Sequence, residues 1–140
     1  MASRDKKDLR LELATAYDKA CDKYKALYPN DPQPFITCTY RSGEEQNKLY
    51  NSKPKVTNAK AGQSPHNFNP SFAFDIGFIG ADKKMDWNND LFNNFNSCIQ
   101  EVSDVVVWGF DWNGNKIKDK NDFDRPHFEL KNWKTYIPKK

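Results

Sequence analysis

The stretch "SPHNFNPSFAFD", from Ser64 to Asp75, decides the fold, because it joins a histidine-bearing turn to a strand. Its second half runs on into "FAFDIGFI", where large apolar residues alternate with small or polar ones. The alternation predicts a strand over residues 72–79, with Asp75 on the face opposite the large apolar side chains. The chain contains only two histidines, and His66 lies at the start of this stretch.

The composition is that of one globular domain. The chain has 140 residues, of which 37% are hydrophobic and 29% charged, so it can bury one modest core. We therefore expect residues 1–140 to form a single domain, without a separate cell-wall-binding domain. The net charge of +3 is carried by scattered lysines, which is typical of a solvated surface. A nucleic-acid-binding protein would cluster its basic residues, so we expect no nucleic acid partner.

The N-terminal sequence "MASRDKKDLRLELATAY" carries charge throughout and has no apolar run, so it does not resemble a signal peptide. No segment approaches the ~20 apolar residues of a membrane span, so we expect no membrane insertion. These features predict a protein made in a cytoplasm. Cys21, Cys38 and Cys98 are odd in number and lie far apart, which predicts three buried, reduced thiols.

The remaining patterns predict an α+β fold, a small and mostly antiparallel sheet with helices on one face. Ser42 and Glu45 form a capping-box pattern, which predicts a short helix after the second element. Trp87 falls on the apolar stripe of the third helix and is expected in the core. The predicted elements are a helix over 5–27, strands over 35–40 and 72–79, a helix over 86–102, the strand "DVVVWGF", the loop "NGNKIKDKND" and the extended segment "RPHFEL".

The few residues able to carry chemistry suggest a metal site. His66, Asp75 and His127 are a recognised three-ligand set for catalytic zinc, which leaves the fourth position open. Asp124, three residues before His127, could accept a proton beside the metal, and Arg41 could hold an oxyanion or a carboxylate. The residues alone leave open the alternative of one core histidine and one surface histidine.

Four motifs then resemble one known family. "YRSGEEQ", "SPHNFNPSFAFD", "WGFDW" and "DRPHFEL" are similar, in order, to segments of the zinc D-alanyl-D-alanine carboxypeptidase and L-alanyl-D-glutamate endopeptidase family. The resemblance spans residues 40–129 and implies a Hedgehog/DD-peptidase-like fold. It implies His66, Asp75 and His127 as zinc ligands and Asp124 as the catalytic base. It also implies Arg41 as a clamp on the substrate or transition state, beside a supporting Ser64. We place Ser64, Trp108 and Trp112 with Arg41 among the candidate substrate-binding residues.

Two departures from the family pattern stand out. The family commonly has six residues between the first histidine and the aspartate, and this chain has eight. Because an even insertion keeps the strand phase, we interpret the extra residues as a wider turn. Phe110 stands where the family has the second glycine of its tryptophan motif, which predicts a narrower pocket wall. Glu129 alternates with His127, so it either supports that ligand or lies at the surface.

The resemblance implies a monomeric zinc peptidase that cleaves peptidoglycan stem peptides. Its closest likeness is to short phage lysins, which lack a signal peptide and reach the bacterial cell wall with the help of a holin. We expect an L-alanyl-D-glutamate endopeptidase acting as an endolysin. The alternatives are a D-alanyl-D-alanine carboxypeptidase and, from another class, a non-catalytic zinc-stabilised cell-wall-binding module. The retained Asp124 argues against the binding module, because a structural zinc site has no use for a base.

Overall fold

The structure is a computed structural model, and it describes residues 3–51, 62, 64–108 and 126–136. Its helices are α1 (Leu11–Leu27), α2 (Gly43–Tyr50) and α3 (Asn89–Val102), and its strands are β1 (Pro34–Cys38), β2 (Ala73–Phe78), β3 (Val106–Trp108) and β4 (His127–Leu130). Short 3-10 turns occur at Lys6–Asp8, Pro65–Asn67 and Trp133–Tyr136. The predicted loop over residues 113–122 lies outside the described part of the chain.

The four strands form one sheet in the order β1-β2-β4-β3, and every pair of neighbours is antiparallel. This confirms the predicted α+β class and the antiparallel pairing of the last two strands. β2 and β4 are adjacent in the sheet although some fifty residues separate them in sequence. The centre of the sheet is therefore built from the two segments that carry Asp75 and His127.

One face of the sheet is an aromatic core covered by α1 and α3. Phe74 of β2 stacks on Phe128 of β4 with ring centroids 5.4 Å apart, and Phe95 of α3 meets Phe128 edge to face at 5.3 Å. From α1, Tyr17 packs edge to face on Phe74 at 5.5 Å. Phe74, Phe95 and Phe128 have no exposed surface, as the alternation in "FAFDIGFI" predicts. The small and polar residues of β2 therefore face the other side of the sheet.

The first helix begins later than the sequence pattern predicts. Residues 6–8 form a separate 3-10 turn, which the Asp5 side chain caps by accepting from the Lys7 N–H. Leu9 then bridges to Ser71, so the chain is extended at this point and α1 starts only at Leu11. A tertiary contact thus overrides the local helical pattern. No helix in the described ranges is long and apolar enough to cross a membrane.

The capping box at α2 is confirmed in full. The Ser42 hydroxyl accepts from the Glu45 N–H at 3.1 Å, and the Glu45 carboxylate lies 3.4 Å from the Ser42 N–H. Because both orphan donors of the first turn are satisfied, an eight-residue helix can begin at Gly43. The helix matters for function, since it forms one wall of the pocket described below.

The assignment of Trp87 to the core is wrong. α3 begins at Asn89, where the Asn88 side chain accepts from the Asp90 N–H, so Trp87 precedes the helix. Its indole lies flat on Phe92 at 6.1 Å while the residue remains 59% exposed. The sequence predicts a helix from residue 86, which places Trp87 on its apolar stripe, whereas the helix in the structure begins after the N-cap Asn88.

The predicted state of the cysteines is confirmed for two residues and partly for the third. All three thiols are free, with Cys38 and Cys98 buried and Cys21 half-buried. Burial raises the pKa of Cys21 to about 11, so this thiol stays protonated at neutral pH.

Two aromatic substitutions on α3 and its flank test this description of the core. Phe95→Ala should lower the free energy of unfolding by about 3–5 kcal/mol, because it removes a fully buried ring and leaves a cavity. Trp87→Ala should cost less than about 1 kcal/mol, because most of its side chain is already in water. Urea unfolding monitored by far-ultraviolet circular dichroism measures both values. Comparable losses in the two variants would contradict the exposed position of Trp87.

Candidate metal centre and the pocket beside it

The candidate site lies on the face of the sheet opposite the aromatic core. Asp75 of β2 pairs directly with His127 of β4, so their side chains project side by side from adjacent strands. His66 reaches the same point from the 3-10 turn Pro65–Asn67. The sheet register and one turn thus bring together the three predicted ligands.

Three donor atoms converge at this point. The Asp75 Oδ1 atom lies 3.2 Å from His66 Nε2 and 3.0 Å from His127 Nδ1, and the two nitrogens are 3.3 Å apart. Zinc ligands held at about 2.0–2.1 Å in a tetrahedron are separated by roughly 3.3–3.4 Å. The three atoms therefore have nearly the spacing of one triangular face of a zinc coordination tetrahedron.

The outer nitrogen of each histidine has its own acceptor. His66 Nδ1 lies 2.7 Å from the Thr39 carbonyl oxygen, which can only accept, so Nδ1 carries the proton and donates. His127 Nε2 lies 2.8 Å from the Glu129 carboxylate, which accepts a hydrogen bond from this nitrogen in the same way. In the neutral rings, the lone pairs then belong to His66 Nε2 and His127 Nδ1, the two atoms beside Asp75. This is the pattern of outer hydrogen bonds that orients metal-binding histidines.

The electrostatics of the cluster favour a cation between these groups. Burial alone would lower the pKa of His66 and of His127, but Asp75, together with Cys38 beside His66 and Glu129 beside His127, outweighs burial and raises the pKa of both. Burial alone would raise the pKa of Asp75, and the two histidines lower it strongly instead. Two lone pairs and a carboxylate oxygen at these distances repel one another unless positive charge lies among them. Protons or a metal ion can supply that charge.

Between His66 and the start of β2 at Ala73 the chain makes a hydrogen-bonded turn. The Ser64 hydroxyl accepts from the His66 N–H at 3.2 Å, and the Asn67 side chain accepts from the Ser64 N–H at 3.1 Å. The Phe72 N–H closes the turn on the Pro65 carbonyl oxygen at 3.0 Å. The hydroxyl of Ser64 thus holds the backbone of His66, which agrees with a supporting role.

Cys38 also joins the site, and sequence reasoning did not include it. β1 and β2 are in regular register up to Ile36 and Ile76, but Cys38 pairs with Asp75, so Thr37 is an extra residue in a β-bulge. The bulge turns Cys38 away from the core face and towards Asp75. Cys38, His66 and Asp75 together form a group that could hold a metal ion.

The position of the Cys38 sulfur distinguishes it from the other donors. Sγ lies 3.6 Å from His66 Nδ1, the nitrogen that donates to Thr39, and it accepts from Arg41 Nη2 at 3.6 Å. The sulfur therefore approaches the outer edge of the His66 ring, away from the edge shared with Asp75 and His127. Its position fits a residue that supports His66 and Arg41 better than a direct ligand.

Arg41 is held at both ends of its guanidinium group. Nη1 donates to the Gln46 side-chain oxygen at 2.9 Å, while Nη2 donates to the Cys38 sulfur. Gln46 is fully buried and lies within 3.4 Å of the Asn67 amide, which also donates to the Arg41 carbonyl oxygen. The Arg41 N–H donates to the His66 carbonyl oxygen at 2.7 Å, so Arg41 is tied directly to the turn that carries His66.

A pocket of about 550 Å³ opens beside Asp75. The end of β1 forms one wall of the pocket and α2 forms the other. The described residues that line it are Thr37, Cys38, Arg41, Glu45, Lys48, Leu49 and Asp75. A substrate in this pocket would meet the guanidinium of Arg41 and the Asp75 carboxylate together. The pocket therefore places a cationic guanidinium next to the candidate metal ligands.

Of the other predicted site residues, the structure describes Trp108 and Glu129. Trp108 is 7% exposed and its indole stacks on Phe128 at 6.3 Å, on the core face of the sheet. Its pairing with Phe128 in the ladder puts it on that face, so we assign it to the core and withdraw it from the substrate-binding residues. Asp124, Trp112 and Phe110 lie outside the described residues. Glu129 accepts a hydrogen bond from His127, which fits the first of its two predicted roles, that of supporting this residue.

Sequence reasoning also missed Gln46 and Asn67. A weak signal was available for both, since Gln46 ends the motif "YRSGEEQ" and Asn67 follows Ser64 at the spacing of a cap. Neither pattern predicts a partner, because the contacts of Asn67 with Arg41 and Gln46 join two segments more than twenty residues apart. For Cys38 no local signal existed, because a bulge is a property of the pairing between two strands.

Comparison with known proteins agrees with this fold. No family model matches the chain. Among solved structures, the chain is similar to the L-Ala D-Glu endopeptidase ChiX of Serratia marcescens, with a TM-score of 0.66 and 17% sequence identity. The similarity covers 99% of this chain and 93% of that chain. At this level of identity the likeness shows the fold alone, and the two proteins share it over essentially the whole of this chain.

Proposed function

We propose that the protein is a zinc-dependent peptidoglycan peptidase that hydrolyses an amide bond of the stem peptide, as an L-alanyl-D-glutamate endopeptidase. The observation that carries the proposal is the convergence of His66 Nε2, Asp75 Oδ1 and His127 Nδ1 within 3.0–3.3 Å of one another. The motif resemblance and the peptidase fold of the similar endopeptidase support the same class. We further propose that the chain acts at the bacterial cell wall after release, as an endolysin does.

The donor set fits zinc on three counts. Two imidazoles and one carboxylate are ligands that zinc takes in catalytic sites, and three protein ligands leave a position open. The spacing of the donors agrees with zinc bond lengths, and Thr39 and Glu129 fix both histidine tautomers. When bound, zinc polarises the scissile carbonyl group and makes water a stronger nucleophile at neutral pH.

Other residues of the chain stabilise the oxyanion and transfer the proton. Arg41, fixed by Gln46 and Cys38, presents its other N–H donors to the oxyanion that forms as water adds to the carbonyl carbon. A base takes a proton from the attacking water and gives it to the departing amine as the C–N bond breaks. We propose Asp124 for this step, because three residues of chain keep it within about 11 Å of His127. Glu129 is occupied with His127, so it does not compete for the role.

Zinc content tests the ligand set. The purified protein should hold about one equivalent of zinc, and His127→Ala should lose most of it, because one of three ligands is removed. Cys38→Ala should keep its zinc, since the sulfur lies at the outer edge of the His66 ring. Elemental analysis after dialysis against trace zinc measures all three proteins. The opposite result, with zinc kept in His127→Ala and lost in Cys38→Ala, would assign the site to Cys38, His66 and Asp75.

Removal of the base should separate catalysis from metal binding. Asp124→Ala should keep its zinc and its melting temperature while turnover of peptidoglycan falls by about 10²–10⁴-fold. That loss corresponds to roughly 3–5 kcal/mol of transition-state stabilisation. Asp22→Ala, an exposed carboxylate on α1, is the matched control and should retain parental activity. Activity of Asp124→Ala within threefold of the parent would remove Asp124 as the base. A parent that binds zinc and cuts no wall preparation would favour a binding module.

Replacement of Arg41 tests the guanidinium clamp. Arg41→Lys should lower kcat/KM by about tenfold or more, because a planar fork held at two nitrogens is replaced by a mobile point charge. The measured quantity is the rate of release of free amino groups from purified wall, with zinc content determined in parallel. Arg10→Lys serves as the control, since Arg10 is paired with Glu12 and contacts the Tyr136 ring. An unchanged kcat/KM in Arg41→Lys would limit Arg41 to a structural role.

A further inference from the structure

Among the residues that the structure describes, four charged side chains line the pocket beside Asp75, two anions and two cations. Asp75 faces the two histidines at 3.0 and 3.2 Å. The Glu45 carboxylate is turned back to the N-terminus of α2, where its Oε1 atom lies 3.2 Å from the Ser42 hydroxyl. Both anions of the pocket are therefore engaged with protein groups. The two cations that line it are Arg41 and Lys48.

Lys48 reaches the pocket because of the helical repeat of α2. Glu45, Lys48 and Leu49 are separated by three and four residues, so they share one face of the helix, and this face lines the pocket. The Lys48 ammonium is 4.0 Å from the Glu44 carboxylate, at the limit of an ion pair, and the two side chains are 74% and 82% exposed. Such an exposed pair holds its members only weakly. The ammonium group can therefore turn to an anion in the pocket at little cost.

We propose that Lys48 is a specificity-determining residue that, beside Arg41, binds a carboxylate one carbon away from the scissile nitrogen. The inference rests on the proposed function and names the substrate group that the pocket recognises. D-Glutamate linked through its γ-carboxyl carries a free α-carboxylate in this position. The C-terminal D-alanine of a stem peptide carries the same group in the same relation to its own scissile bond. The chemistry is shared, and the experiment separates the two sources.

The two cations are suited to different parts of the task. The Arg41 guanidinium is immobilised by Gln46 and Cys38 next to the metal ligands, so it meets the reacting carbonyl group with little freedom. Lys48 lies on α2, and its flexible side chain lets the ammonium group follow the carboxylate as the substrate enters. Because Lys48 is exposed, its contribution should fall as ionic strength rises above about 0.1 M.

The test uses two pairs of synthetic peptides. The first pair contains L-alanyl-γ-D-glutamyl-L-lysine with the α-carboxylate either free or converted to the carboxamide. The second pair ends in D-alanyl-D-alanine with a free or an amidated C-terminus. The parent should prefer the free carboxylate within the pair that it cleaves. Lys48→Met should lower kcat/KM for that peptide by about three- to tenfold, chiefly through KM, and leave its amide within twofold. Lys48→Arg should restore the preference.

Lys19→Met on α1 removes the same charge from an exposed site outside the pocket and should behave as the parent. Zinc content and melting temperature should be parental in every variant. The proposal is overturned if Lys48→Met keeps the carboxylate preference of the parent, or if the parent has none. A parent that cleaves none of the four peptides overturns the proposed function instead. Calorimetric titration of the same peptides into parent and Lys48→Met then decides the proposal, and an equal carboxylate-to-amide affinity ratio in both proteins rejects it.

Discussion

The cross-strand pair of Asp75 with His127 is the constraint on which the rest of the site depends. It exists because β2 and β4 are neighbours in the sheet and because their register sets these two residues opposite each other. Side chains alternate between the faces of a strand, so a slip of one residue would turn Asp75 into the aromatic core. Phe74 and Phe128, which flank the pair and stack on each other, make that slip costly. The packing of the core thus holds the register of the candidate metal centre.

A second layer of contacts gives the histidines their orientation. The Thr39 carbonyl oxygen and the Glu129 carboxylate accept hydrogen bonds from the outer nitrogens of the two rings, and the Ser64 hydroxyl holds the backbone of His66. In the neutral rings, the inner nitrogens therefore present their lone pairs to the Asp75 carboxylate. The resulting concentration of negative potential explains the raised pKa of each histidine and the suitability of the cluster for a divalent cation.

The pocket is connected to the metal centre through the backbone and through Arg41. The Arg41 N–H bonds the His66 carbonyl oxygen, and its guanidinium spans Gln46 of α2 and Cys38 of β1. A single residue therefore links the His66 turn, the helix and the bulged strand. Displacement of α2 would move the guanidinium and the Lys48 ammonium together. For this reason, the two cations that line the pocket are mechanically coupled in this fold.

The sequence by itself predicted most of the elements and the candidate ligand set. Alternation in "FAFDIGFI" predicted β2 and the facing of Asp75, the Ser42–Glu45 pattern predicted the start of α2, and the order of four motifs pointed to His66, Asp75 and His127. These features are local, and each depends on side-chain periodicity or on a cap within a few residues. The same local reasoning failed for Trp87 and Trp108, because an N-cap and a strand register decide which way each indole faces.

Only the tertiary structure decided how the parts meet. The bulge at Thr37 brings Cys38 from the core face to the site, and no pattern in β1 alone predicts it, since a bulge is defined by the partner strand. The contacts of Asn67 with Arg41 and Gln46 join segments more than twenty residues apart, and the pocket exists only where α2 stands over β1. Local propensity acts over a few residues, whereas the distances that make a metal centre are set by strand pairing and packing across the whole chain.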